Sequence, residues 1–208
     1  RRLDVDILSS ADLVQFSTQR WTHDQIDTHR NAAKCLDHIV HEAFDYVSKN
    51  IHSYLTEYDL AEFIRLRYDN YDLEYKDGPV VALNENSSYP HYEPSETGSK
   101  IIKRGDWLLI DLWGRLKNID SMYADITWTA FVGENPSDKQ QEIFSLVTGA
   151  RDKALLHLKN AFDQNIVVKG WEMDRVAREF ITSAGFGENF GHRLGHSLGR
   201  HVHGNAVN

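Results

Sequence analysis

Trp107-Leu108-Leu109-Ile110-Asp111-Leu112-Trp113 and, after a short polar interval, Ala124-Asp125-Ile126-Thr127-Trp128-Thr129 are the two stretches on which the architecture turns. Each is a compact apolar or β-branched run, the signature of a strand with at least one buried face. Residues 106–113 and 125–132 are therefore predicted strands, and residues 79–83, short and β-branched, make a third. Residues 114–122 lie between the last two, and Gly114 and Asn118 there suit a hairpin connection, so the pair is expected to be antiparallel. Asp111 and Asp125 then fall near each other on neighbouring strands.

Helical patterns flank these strands on both sides. Thr22-His23-Asp24-Gln25 reads as a capping box, in which the Thr hydroxyl and the Gln amide satisfy orphan donors at a helix start. Leu36, Ile39, Val40, Ala43, Phe44 and Val47 follow at three- and four-residue steps and predict one apolar stripe ending near Asn50. A shorter helix is expected from about Thr56, with Leu60, Phe63 and Ile64 on one side, ending before the polar stretch 69–77. After the strands the pattern restarts. Ser137-Asp138-Lys139-Gln140 is a second capping box, and Ile143, Phe144, Val147, Ala150, Ala154, Leu155, Leu158, Ala161 and Phe162 keep helical spacing behind it. A short helix then runs from about Trp171 through Val176, Phe180 and Ile181 to a stop at Gly185. A long helix followed by a short one, twice, points to an internal duplication and to an α/β (α+β) fold, mostly antiparallel sheet with two helix pairs packed on it.

Composition removes several classes of function. The 208 residues fit one domain, expected over 1–208 with residues 1–20 as a lead-in. With 23 Lys+Arg against 31 Asp+Glu, the net charge of −8 disfavours attraction to nucleic acid or anionic lipid. The longest apolar runs, at 80–83 and 107–110, are far short of the roughly 18–20 residues of a spanning helix, so no membrane segment is expected. No basic-then-apolar leader stands at Arg1, and the lone Cys35 excludes an internal disulfide and suits a reducing cytoplasm.

Histidines are unevenly spread. Four of the eleven, His192, His196, His201 and His203, fall in the last seventeen residues. On a helix His192 and His196 would share a face and chelate zinc, but Gly191, Gly195, Gly199 and Gly204 argue instead for tight bends and close backbone approach to something bound. A solvated glycine-rich tail with incidental histidines is the plain alternative. Asp111 and Asp125 each admit a plain reading too, as strand-end turn formers. Two carboxylates across a hairpin together with one imidazole, however, suit a hard-to-borderline divalent ion such as Mn²⁺, Co²⁺ or Zn²⁺. Two bridging carboxylates can hold two metals and give a shared hydroxide near neutral pH.

Leu109-Ile110-Asp111-Leu112-Trp113, Ala124-Asp125-Ile126-Thr127-Trp128-Thr129, and His192-x-x-x-His196-x-Leu-Gly followed by Val202-His203-Gly204 resemble, in order, the motifs of the Xaa-Pro aminopeptidase and prolidase branch of the pita-bread metallopeptidases, relatives of the methionine aminopeptidases. Asn84-Glu85-Asn86-Ser87-Ser88-Tyr89-Pro90-His91-Tyr92 resembles the family loop that supplies a substrate-side histidine, and the match runs from about Trp21 onward. The resemblance implies a pita-bread fold and two divalent metal ions, manganese first, with cobalt or zinc as alternatives. It implies Asp111, Asp125 and His196 as metal ligands, with Asp125 as the bridging carboxylate, and His203 as the residue stabilising the tetrahedral intermediate. His91 and His192 match the histidines near the scissile bond, His192 being expected to act in catalysis with His203 as well as in substrate binding; His201 matches nothing, while Trp113, Trp128 and Arg193 either line the cleft or belong to the core.

The implied reaction is hydrolysis of the bond between an N-terminal residue and proline in a small peptide; the cytoplasmic location is the one Cys35 suits, and the number of subunits is left open, a homodimer among the options. Two departures from the family pattern stand out. The interval between Asp111 and Asp125 is longer, which a longer hairpin absorbs. The family also completes its site with two glutamates beyond the histidine motif, whereas Glu188 is the last acidic side chain here, so the chain is expected to be truncated, its second half incomplete. A catalytically inactive module of the same fold that binds a peptide or protein is the alternative; a mononuclear zinc hydrolase built on the histidines alone is a third reading.

Overall fold

The structure is a computed structural model and describes residues 8–204. The first seven residues of the expected lead-in lie outside that range; the rest of it holds a short helix, α1 (Ala11–Thr18). The described residues divide into two compact units, one of Trp21–Pro136 with Leu198–Val202, the other of Ser137–Ser197 with residues 8–20 and 203–204.

In the first unit the predicted capping box at Thr22 forms, and a second one, not singled out from the sequence, forms at Thr56. Thr22 caps α2 (His23–Asn50), its Oγ1 accepting the Gln25 N–H at 3.2 Å, and Thr56 caps α3 (Glu57–Asn70) in the same way through Asp59. The predicted stripe of α2 is buried at Leu36, Ile39, Val40, Ala43 and Val47, with Phe44 only partly buried and Ala32 added to it, and α3 adds Leu60, Ala61, Ile64 and Tyr68. Phe63, expected in that stripe, is only partly buried and stacks on Tyr46 with ring centroids 4.2 Å apart. These faces cover one side of an antiparallel sheet of β1 (Leu73–Glu74), β2 (Val80–Leu83), β3 (Trp107–Leu116) and β4 (Ala124–Phe131).

The central strand is β3. It pairs with β4 from Trp107↔Phe131 to Gly114↔Ala124 and with β2 from Leu83↔Leu108 to Val80↔Asp111. Burial alternates along it as the pleat demands: Leu108, Ile110 and Leu112 enter the helix-covered core, while Trp107, Leu109, Asp111 and Trp113 take the other face and are half-buried. Gly114, read from the sequence as part of the turn, lies inside β3. A Cβ there would meet Leu73 Cδ1 at 3.5 Å and Leu36 Cδ2 at 3.7 Å, so its role is close approach between helix and sheet. The longer interval between Asp111 and Asp125 is taken up by extending β3 to Leu116 before the turn.

The second unit repeats the long-then-short helix pair. Ser137 caps α4 (Asp138–Asp163, 26 residues), and α5 (Gly170–Ser183, 14 residues) follows, against 28 and 14 residues for α2 and α3. Gly185, at φ +88°, closes α5: its N–H donates to Thr182 O and the Phe186 N–H to Ile181 O, a Schellman closure with Phe186 and Ile181 in one apolar cluster. The apolar stripe predicted for α4 is buried only at its small residues, Ala150, Ala154 and Ala161, whereas Phe144, Val147, Leu155, Leu158 and Phe162 are exposed. The reason is that α4 meets α5 through small side chains; at Gly149 a Cβ would stand 3.0 Å from the Phe180 ring. No strand follows α5 among the described residues, and no helix among them is long and apolar enough to cross a membrane.

Candidate metal centre and its histidine loop

The strand register brings the two carboxylates to one sheet face. Thr127 lies opposite Asp111 and Trp113 opposite Asp125, so the acids form a diagonal pair on the face away from the helices. Diagonal neighbours stand about 7–8 Å apart, a spacing from which two carboxylates can reach a common cation. The Thr127 hydroxyl donates to Asp111 Oδ1 at 2.6 Å, fixing that carboxylate's orientation. Burial pushes the Tyr68 phenol well above its ordinary range, and the charges of Asp111 and Asp125 add to the rise.

Two further contacts fix the chain just ahead of Asp125. Tyr123 is held from both sides of its peptide: its carbonyl accepts from His29 Nδ1 at 2.7 Å, and its N–H donates to Gly199 O at 2.9 Å. Arg115 Nη1 donates to Arg200 O and Arg200 Nη2 to Asp120 Oδ1, so residues 198–202 are stitched to the hairpin that carries Asp125.

The loop carrying His91 is anchored by a residue that sequence reasoning missed. Glu57, the first residue of α3, is fully buried and accepts four hydrogen bonds. Oε1 takes the Leu83 N–H at 2.7 Å and Asn86 Nδ2 at 2.9 Å; Oε2 takes the Tyr92 hydroxyl at 2.7 Å and the Lys100 N–H at 2.8 Å. Burial, and then the bond to Glu57, pushes the Tyr92 phenol up to about 12. Asn84 ties the loop's start to β3, donating to Asp106 Oδ1 and accepting the Trp107 N–H, both at 2.9 Å. His91 itself is exposed, one residue before the anchored Tyr92.

In the second unit His192, His196 and His203 are all exposed, and the last two come together, with ring centroids 4.6 Å apart. The Gly204 N–H donates to Ser197 O at 2.8 Å and so closes the connection between them. Only glycine fits, because a Cβ at Gly204 would stand 2.5 Å from Ser197 Oγ and 3.0 Å from its carbonyl oxygen. His192 Nδ1 lies 2.8 Å from Arg193 O, and His196 Nδ1 3.2 Å from Ser197 O. A carbonyl only accepts, so each Nδ1 carries the proton in the neutral ring and the lone pair sits on Nε2, the arrangement usual for metal-ligating histidine. His192 and His196 also line a cavity of about 630 Å³ with Trp171, Met173 and Leu194.

The loop is gripped from α5 by a second pair that sequence reasoning missed. Arg178 Nε and Nη2 donate to Asp174 at 2.8 and 3.1 Å, while Nη1 and Nη2 reach Phe190 O at 2.7 Å and His192 O at 3.0 Å. Asp174 Oδ1 accepts the Leu194 N–H at 2.7 Å, and the Arg178 bond holds its carboxyl below the usual carboxylate range. An aspartate and an arginine four residues apart read in sequence as a solvated pair, so only the fold exposes their role.

The donor set suits a divalent cation in kind: two carboxylates on one face, and an imidazole whose Nδ1 is already engaged. No group of three or more His, Cys, Asp or Glu side chains that could hold a metal ion is gathered among the described residues.

The sequence model of metallopeptidase family M24 matches residues 27–208, and the chain belongs to that family. It is 39% identical over 124 residues to the Xaa-Pro dipeptidase of Pyrococcus horikoshii, a match covering 60% of this chain and 32% of that protein. An uncharacterized peptidase of Bacillus subtilis, YqhT, is 28% identical over 203 residues, covering 96% and 52%. Among solved structures, the X-Pro aminopeptidase of Thermotoga maritima matches with a TM-score of 0.71 at 32% identity, over 92% of this chain and 50% of that one. For the prolidase of Pyrococcus furiosus the TM-score is 0.74 at 28% identity, over 92% and 52%. The pita-bread architecture expected from the sequence is therefore the fold, and the chain spans about a third to a half of the length of these relatives.

Proposed function

We propose that the protein releases the N-terminal residue ahead of proline from small peptides, with two divalent ions, manganese first and cobalt or zinc next. Asp111, Asp125 and His196 are their ligands in this chain. The observation that carries the reading is the pair of acids on one sheet face, followed in the chain by His196 and His203 in a glycine-closed loop, in an M24 member similar to Xaa-Pro dipeptidases. Bound ions would lower the pKa of a water toward neutrality and polarise the scissile carbonyl.

The chain's own residues do the rest. Thr127 orients Asp111, and the Ser197 carbonyl orients His196 so that its Nε2 lone pair serves as the donor. The exposed His203 imidazole donates to the carbonyl oxygen as charge develops there. His192 and His91 hold the substrate around the scissile bond. A bond to proline offers no N–H, so recognition rests on the ring and on the free amine beside it. A cytoplasmic location and a homodimer belong to the same proposal, the first supported by the single, half-buried Cys35.

The test is amino-acid release from Xaa-Pro and Xaa-Pro-Yaa peptides by the natural protein. Release should stop on chelation and return with Mn²⁺. Asp111→Ala and Asp125→Ala should lose metal and activity together, while His203→Ala lowers turnover with metal content unchanged. Release that survives Asp125→Ala overturns the ligand assignment, and peptide binding without cleavage would mark a binding module instead.

A further inference from the structure

Arg178 and Asp174 meet the histidine loop at three successive alternate residues. The guanidinium takes the carbonyls of Phe190 and His192, and the carboxylate takes the N–H of Leu194. Arg178 also lies over the Phe190 ring, its Cζ 4.4 Å from the centroid, and that ring meets His192 edge-on at 5.6 Å. His192 is thus located twice, through its own carbonyl and through the ring packed beside it. The loop has no regular structure of its own and contains Gly191 and Gly195, whose backbones are the least restricted of any residue. An outside clamp is what such a segment needs if a side chain on it is to hold one position.

Arginine suits the role because its planar fork can bind a carboxylate on one edge and two carbonyls with the remaining donors; lysine presents a single point charge. The pair also lies in the wall of the cavity that His192 lines, so it acts where a bound molecule would be felt.

We infer that Asp174 and Arg178 are positioning residues that fix His192 at the wall of this cavity. The inference rests on the proposed role of His192 beside the substrate, and the pair acts on the reaction through the loop it holds.

The experiment compares Asp174→Asn, Arg178→Lys and Arg178→Ala in the natural protein by three readouts: amide hydrogen exchange at Leu194, the His192 ring resonance, and kcat and KM for an Xaa-Pro dipeptide. Asp174→Asn keeps the shape of the side chain and covers the case in which Arg178→Ala does not fold. Exchange at Leu194 and KM should each rise about tenfold in Asp174→Asn and Arg178→Ala, with kcat changed much less and Arg178→Lys intermediate. An unchanged Leu194 amide and His192 resonance would overturn the inference. So would a loosened loop with KM unaltered in a protein that does cleave. If the wild-type protein cleaves no Xaa-Pro peptide, the proposed function has failed, and the clamp is then judged by exchange and resonance alone.

Discussion

Replacing Glu57 by glutamine removes a charge that water does not reach and converts one of its two acceptor atoms into a donor. Four donors converge on this carboxylate, two per oxygen. If the amide nitrogen takes the Oε2 place, the Tyr92 hydroxyl can turn and accept, but the Lys100 N–H is stranded. If it takes the Oε1 place, the Asn86 amide can flip, but the Leu83 N–H is stranded. Either way one buried backbone donor loses its partner, at about 1–3 kcal/mol, and the remaining bonds lose their charge assistance. The expected loss is about 2–4 kcal/mol, which in a domain of this size lowers Tm by roughly 4–16 °C. Thermal and urea unfolding measure it, and limited proteolysis should show new cleavage in residues 84–98, where the anchored loop lies. A loss within about 0.5 kcal/mol, the range of ordinary surface changes, would refute the reasoning.

The Tyr92 phenol, pushed up to about 12, should ionise after the exposed tyrosines in an ultraviolet titration. Because its folded-state pKa lies above the ordinary value, the contribution is fully present below about pH 10 and is lost as pH rises through the folded value; a Tyr92→Phe variant whose alkaline stability profile matches the wild type would contradict this. Gly204→Ala should break the bond to Ser197 O and separate the His196 and His203 rings, lowering turnover with only a small change in Tm. An unaltered turnover would show that the closure does not matter to the site.

How much could be read from the chain depended on the range of the interaction. The capping boxes read at Thr22 and Ser137 are local, and both form as hydrogen bonds, as does a third at Thr56. The α2 stripe was legible because one face meets one sheet. Gly114 was misread because its reason is tertiary: Leu36 and Leu73 crowd a strand, and no turn is made there. The two-residue β1 carries no period to detect. In α4 the spacing was right but the inference of burial was not, since Ala150 and Ala154, with Leu146 beside them, make the contact with α5.

The candidate site shows the same division. Asp111 and Asp125 were placed on adjacent strands by the hairpin pattern, and the register bears that out. Glu57 carries no local signal in the sequence, and its burial is matched by four donors brought in from residues 83–100. The Asp174–Arg178 grip likewise depends on a loop that folds back onto α5.

The most direct measurement is the anomalous difference density of crystals of the natural protein grown with Mn²⁺. The account predicts metal density in contact with the carboxylates of Asp111 and Asp125 and with Nε2 of His196, with His203 close by but not bound. Metal held elsewhere, or through His192 and His203 without either acid, would contradict it.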